Sequence, residues 1–168
     1  LLSAGIATLA MLIYITFRFE FKFAISAIIA LIHDVLITLS VYAIFKIPID
    51  GSFIAAILTI LGYSINDTIV IFDRIRENKR GIRKDNIDYA EIINKSISQS
   101  VTRTINTSLT TLITIVMLYI VGVEDIRVLA FPLMIGVIAG TYSSMFIASP
   151  IWYLLNTREN PKYKPKKA

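Results

Sequence analysis

The sequence predicts an all-α fold, a polytopic membrane helix bundle, and three observations carry that reading. Hydrophobic residues make up 55% of the 168 and charged residues only 17%, whereas an ordinary soluble domain is about 25% charged. Mean hydropathy is +0.69. The apolar residues fall into five blocks of 17 to 28 residues, and about 20 consecutive apolar residues in a helix cross a hydrocarbon core of about 30 Å. Five transmembrane helices are therefore expected.

The first block is 1–17, which reaches roughly 26 Å as a helix, slightly short of a full span. It begins at Leu1, with no basic region ahead of it and no clear cleavage site after it. That pattern argues against a signal peptide and reads as the C-terminal part of a longer protein. The second block is 23–45 and the third 53–72; the fourth is 105–121 and the fifth 128–155, with Pro132 near the start of the last and Pro150 near its end. Lys46 to Ser52, with Pro48 and Gly51, is a short turn-rich loop between the second and third.

Charge sets the expected orientation. The connections before block two, between blocks three and four, and after block five hold 2, 8 and 5 Lys and Arg, 15 of the 17 in the chain. The other two loops hold only Lys46 and Arg127. Basic residues concentrate in cytoplasmic loops, so the long loop and the basic tail 156–168 are expected in the cytoplasm of a multi-pass inner (plasma) membrane protein. A pI near 9.5 in a soluble chain would suggest nucleic acid; here the charge lies between apolar blocks, and no nucleic-acid partner is expected.

The long loop is more than a linker. Ile93, Ile97, Val101 and Ile105 recur every four residues on one helical face, and Asp88 followed by Glu91 has the spacing of a capping box. An amphipathic helix over about 86–104 is expected to lie along the inner surface, against lipid headgroups, and to turn into block four.

Ionisable groups inside a span cost roughly 2.5–3.5 kcal/mol on insertion scales, so each one is informative. Asp67 lies in Gly62-Tyr63-Ser64-Ile65-Asn66-Asp67-Thr68, about six residues from the inner end of block three. Tyr63, Asp67, Val70 and Arg74 share a face leading to the cytoplasm. Asp67 is read either as a carboxylate that takes up and releases protons or as a buried anchor that locks helix packing. His33 and Asp34 sit near mid-depth in block two, with the same two readings. In the fourth block and the segment before it, Gln99, Arg103, Asn106, Thr110 and Thr114 form a polar stripe; Arg103 either pairs with Asp67 or snorkels to headgroups. Block five carries Gly136, Gly140, Ser144 and Ala148 at steps of four, the small-residue spacing of close helix packing.

Chemistry is limited by what is absent. The chain has no Cys and one His, so it offers no disulfide, no thiolate metal site and no zinc site. It lacks the paired Tyr-Asp and Gly-x-Gly-Asp motifs of an intramembrane aspartyl protease, and it has no phosphate loop. Neither an enzyme with catalytic residues nor a cofactor or metal is expected.

The run Gly62-Tyr63-Ser64-Ile65-Asn66-Asp67-Thr68-Ile69-Val70-Ile71-Phe72-Asp73-Arg74-Ile75-Arg76-Glu77-Asn78 closely resembles the most distinctive stretch of the bacterial SecF family of protein-export subunits. Leu31-Ile32-His33-Asp34-Val35, Arg103-Thr104 with Thr107 to Thr111, and Gly136 to Ser144 continuing to Ile147-Ala148-Ser149-Pro150 resemble it too, in the same order and over nearly the whole chain. The related SecD usually reads differently around the membrane Asp; a SecF half of a fused SecDF chain would read the same. The resemblance implies half of an RND-type transporter, with the first of six helices and the external domain after it missing here. It implies partnership with SecD, as a complex or a fused chain, beside the SecYEG channel and with YajC. It also implies use of the proton motive force to help move unfolded secreted proteins, which the external domain would contact. Asp67 and Arg103 match the residues of the proton path at the SecD–SecF interface; Tyr63, Asn66, Gln99 and Asn106 are supporting polar contacts, and Gly136, Gly140 and Ser144 are packing positions. Two rival readings are an RND-type proton-coupled exporter of small molecules or lipids, and a passive structural subunit.

Overall fold

In the computed structural model, which describes residue 6, residues 21–80, residue 82 and residues 88–159, helices follow the apolar blocks but outrun them. Helix α1 is Phe21–Phe45, α2 Gly51–Lys79, α3 Tyr89–Val121 and α4 Glu124–Ser143. A π-helical turn, Ser144–Ala148, joins α4 to α5, Ser149–Glu159, in one continuous run. Among the described residues every regular element is helical.

Caps set the ends. After α1 the chain turns through Lys46 at φ 53, with Ile47 N–H on the Tyr42 carbonyl at 3.0 Å and Lys46 N–H on that of Ala43 at 3.3 Å. This is a Schellman closure, in which a non-glycine residue takes the left-handed position. Asp50 then caps α2, accepting from Phe53 N–H at 2.9 Å. Asp88 caps α3, accepting from Ala90 N–H at 3.0 Å and Glu91 N–H at 3.2 Å. Pro150 has no N–H to give to the carbonyl four residues back, and its ring crowds that carbonyl. The turn just before it widens to π geometry, and Ser149 Oγ reaches the Ser144 carbonyl five residues back at 3.3 Å.

Among the described residues, four runs are long and apolar enough to cross a membrane: Phe21–Phe45, Gly51–Lys79, Tyr89–Val121 and Glu124–Thr157. The expected count of five is not matched; the block at 1–17, apart from Ile6, lies outside the described residues. The surface-lying helix expected over 86–104 and the span over 105–121 are one uninterrupted helix, α3. At 33 residues it is about 50 Å long, some 20 Å more than a hydrocarbon core. Its first turns pack on protein: Tyr89, Ile92 and Ile93 are buried in the core with Phe72 and Ile75 of α2 and Trp152 of α5. Along the expected every-four face, Ile93 is buried, Ile97 and Val101 are partly covered, and Ile105 is exposed, because a row of fours winds about 40° per step around an α-helix. Helix α2 likewise continues past Phe72, where burial of Ile75 holds the helix and Arg76 and Glu77 face outward. The final run also takes in Asn156, placed by sequence in the basic tail; it is buried, accepts from Lys22 Nζ at 3.3 Å and donates to the Trp152 carbonyl at 2.9 Å. Residues 160–168 of that tail lie outside the described residues.

Helix α4 is central, touching α1, α2 and α3. Around it the bundle inverts the soluble pattern. Ile29, Ile32, Leu36, Leu109, Ile113 and Ile138 are exposed, while Ser26, Asp34, Ser64, Asp67, Ser143 and Ser144 are buried. In lipid, polar groups turn inward to find partners and the apolar exterior is covered by acyl chains.

Candidate functional site: two buried carboxylates

The ridge of α4 determines how deep the carboxylates sit. Gly136 faces Ile60, Gly140 faces Ser64, and Ser144 Oγ is 2.9 Å from Thr68 Oγ1. Both helices thus advance by four in parallel register. A Cβ at Gly136 would come within 2.2 Å of Ile60, and one at Gly140 within 3.0 Å of Ser64. At Gly136 only glycine permits this approach, at Gly140 a side chain would be tight, and the approach brings the Ser64, Thr68, Ser143 and Ser144 hydroxyls together.

Asp34 sits where α1, α2 and α4 meet, with 0% exposure. Its Oδ2 accepts from Ser64 Oγ at 2.5 Å and Ser143 Oγ at 2.9 Å. Its Oδ1 is joined to His33 Nδ1 at 3.1 Å. The His33 side chain is 30% exposed and lies against the Tyr142 ring. One carboxylate thus ties three helices through three partners.

Asp67 is nearly as deep, at 3% exposure, but is held differently. Its hydrogen bond among the described residues is a long one: Ser108 Oγ of α3 donates to Oδ2 at 3.3 Å. Thr141 of α4 donates to Ser108 Oγ at 2.7 Å, so a hydroxyl pair spanning two helices approaches the carboxylate from one side. Arg103 forms no ion pair with Asp67 within 4 Å. It is exposed on a groove of about 460 Å³ between α2 and α3, lined by Asp73, Arg74, Glu77, Gln99 and Ser100 among others.

The remaining residues expected at the site divide. Gln99 Oε1 accepts from Arg74 Nε and Asn78 Nδ2, both at 2.9 Å. Tyr63 is half-buried against Ile115 and Val137, and its hydroxyl has no hydrogen-bond partner among the described residues. Asn66, Asn106, Thr110 and Thr114 are exposed. From Asn106 onward the polar stripe of α3 therefore faces away from this chain, and a different row faces inward: Ser96, Ser100, Thr104 and Ser108 are all buried. Ser96 and Ser100 were not singled out from the sequence, whereas Ser64, Thr104, Ser108, Thr141 and Ser143 lie within the stretches that resemble the family. The signal available for them was the small-residue step of four, the same signal that marks Gly136 and Gly140.

Buried carboxylates fed by hydroxyls inside an apolar-sided bundle define a class: an α-helical membrane protein with ionisable groups in the interior of its spans. The chain belongs to the SecD/SecF protein-export family. The family model described as "Protein export membrane protein SecD/SecF, C-terminal" matches residues 1–158. The chain is 50% identical over 157 residues to the protein translocase subunit SecF of Alicyclobacillus acidocaldarius, covering 93% of this chain and 51% of that one. It is 44% identical over 163 residues to the protein translocase subunit SecDF of Bacillus subtilis, covering 96% of this chain and 22% of the relative. A crystal structure of SecDF from Thermus thermophilus, titled a translocon-associated membrane protein, superposes with a TM-score of 0.82 at 42% identity, over 88% of this chain and 20% of that one. The chain spans about half the length of the SecF relatives it matches.

Proposed function

We propose that this chain is the membrane part of a SecF-type export subunit and that Asp67 is its proton-carrying group. The observation that carries the reading is the contrast between the two carboxylates. Asp34 has three partners on 0% exposure, the build of a structural anchor. Asp67 is nearly as deeply placed with, among the described residues, one 3.3 Å hydrogen bond and no ion pair. A buried charge so thinly compensated is costly, and neutralisation by a proton relieves it. Protonating Asp67 also removes its attraction to the Arg103 charge at the groove, which lets α2 and α3 shift between two arrangements.

The chain then acts with SecD, separate or fused, beside SecYEG and with YajC, and couples the proton motive force to the movement of unfolded secreted proteins. It belongs to an RND-type membrane half, set in the bacterial inner membrane with the long loop and basic tail cytoplasmic. Its role is transport without enzymatic chemistry. The outward-facing stripe Arg103, Asn106, Thr110 and Thr114 fits an interface with SecD, since polar side chains in a span face protein rather than lipid. His33 extends the Asp34 anchor towards the bundle surface.

The test is export of a secreted reporter in cells that depend on the full-length Asp67→Asn protein, with membrane levels measured. Lost export at normal protein level is expected. Normal export would assign Asp67 to packing alone and favour the passive-subunit reading.

A further inference from the structure

We infer that Thr104 and Ser100 of α3 form the inner half of the proton path, linking Asp67 to the groove lined by Asp73 and Glu77. The inference rests on the role proposed for Asp67 and extends it to the route beyond that residue.

Thr104 is the carrying observation. It is 2% exposed, and its Oγ1 has no hydrogen-bond partner among the described residues. That is unusual for a helical threonine in this bundle. Thr38, Thr59, Thr68, Thr107 and Thr111 all turn back onto the carbonyl four residues earlier, at 2.9 to 3.1 Å. Thr104 lies one turn from Ser108, the donor to Asp67, and one turn from Ser100, which opens onto the groove.

Register shows what lies across from it. The antiparallel pairs Asn78–Ser96 at 2.9 Å and Asp67–Ser108 at 3.3 Å fix α3 on α2. Between them Thr104 falls opposite Val70 and Ile71, both apolar, with Ile71 fully buried. The groove reaches up to Ile69 and Val70 on α2, so an apolar step with buried Ile71 stands between Asp67 and the charged lining, and α3 supplies the hydroxyl that crosses it. Successive hydroxyls four residues apart rise about 6 Å. Two hydrogen bonds of about 2.8 Å joined by one water cover that distance. The orphan Thr104 hydroxyl would hold such a water and satisfy itself in doing so.

The transfer consumes nothing. A proton leaves the Asp67 carboxyl, each hydroxyl or water on the way accepts one proton and releases another, and the proton emerges in the groove. The charged groups facing this row are Asp67 at one end and Asp73, Arg74, Glu77 and Arg103 at the other. Arg74 is occupied by Glu77 at 2.5 Å and by Gln99.

The test uses the complex of the full-length protein and its partner subunit in proteoliposomes, with proton flux read by an internal pH-sensitive dye. Thr104→Val keeps the shape and removes the hydroxyl; Thr104→Ser keeps the hydroxyl. Flux through Thr104→Val is expected to fall about tenfold, roughly the factor set by one lost hydrogen bond at the limiting step, while Thr104→Ser retains it. Ser100→Ala is expected to fall similarly and gives an independent reading if the valine variant does not assemble. Unchanged flux in Thr104→Val or in Ser100→Ala, or equal loss in Thr104→Val and Thr104→Ser, overturns the inference while leaving the role of Asp67 intact. Unchanged flux in Asp67→Asn overturns both.

Discussion

Replacing Gly136 with alanine tests the packing that brings the hydroxyls together. The new Cβ would meet Ile60 Cγ1 at 2.2 Å, Cδ1 at 2.3 Å and Cγ2 at 2.7 Å. Comfortable carbon contacts lie at about 3.5–4.0 Å, so the two helices must separate by at least about 1 Å. Ile60 cannot swing aside: it is buried on α2, and a β-branched side chain in a helix has one strongly preferred χ1. Overpacking costs about 1–3 kcal/mol, and three contacts this short place Gly136→Ala at the upper end. Alanine recovers at most about 1 kcal/mol of helix propensity, leaving a net loss of about 2 kcal/mol. Gly140→Ala is the control. Its nearest contacts are Ser64 Cβ at 3.0 Å and Oγ at 3.1 Å, so cost and gain nearly cancel. Thermal unfolding of the detergent-solubilised full-length complex reads both variants, with Ile60→Ala added to Gly136→Ala to relieve the clash. The expected order is wild type close to Gly140→Ala, with Gly136→Ala well below and partly rescued in the double variant. If Gly136→Ala matches wild type, or if Ile60→Ala gives no rescue, the close approach of α2 and α4 is wrong.

Three further outcomes are expected. Asp34→Ala strands the Ser64 hydroxyl in the core, at about 1–3 kcal/mol, and leaves Ser143 only the Gly140 carbonyl at 3.2 Å, so membrane abundance and protease resistance should drop where Asp67→Asn leaves both normal. Lys46→Gly removes a side chain from a left-handed position at φ 53, which costs about 1–2 kcal/mol for an L-residue; unfolding should shift upward, and no shift would argue against the Schellman closure. Trp152→Ala empties a site stacked by Phe23 at 4.9 Å, edged by Tyr89 at 5.8 Å and covered by Lys79; a loss of about 3–5 kcal/mol is expected, read by the same unfolding assay.

Much of this was legible in the sequence because bilayer and helix impose strong rules. Apolar length marked the four spans described, and the step of four marked Gly136, Gly140 and Ser144. Where the reading failed, hydropathy was the wrong guide. Residues 86–104 looked like a surface helix because charges flank their apolar face, yet that face meets Phe72, Ile75 and Trp152. On α3 two polar rows run one residue apart. Gln99, Arg103 and Asn106 are the more polar, and Gln99 does bond to α2, yet Ser100, Thr104 and Ser108 are the row that is buried. In a membrane, polarity shows only that a face meets protein, not which protein; side-chain size decides what fits between close helices. The expected Arg103–Asp67 pair was a matter of sequence spacing, and spacing carries no information on how far an arginine on one helix stands from a carboxylate on the next.

The widened turn before Pro150 has a consequence for the whole last run. Gly136, Gly140, Ser144, Ala148 and Trp152 are evenly spaced by four, and on a uniform α-helix such a row would wind by about 160° from first to last. A π turn accommodates one residue more than an α turn and so takes back about 100° of that winding. Gly136 can then face Ile60 at one end while Trp152 enters its aromatic box at the other. The run works as two helices of different phase joined by a one-residue slip. Losing a single residue inside Ser144–Ala148 would restore an ordinary α pitch and leave both ends in register. The same loss anywhere else along the run would rotate one end by about 100° and turn either the glycines or the tryptophan out towards lipid.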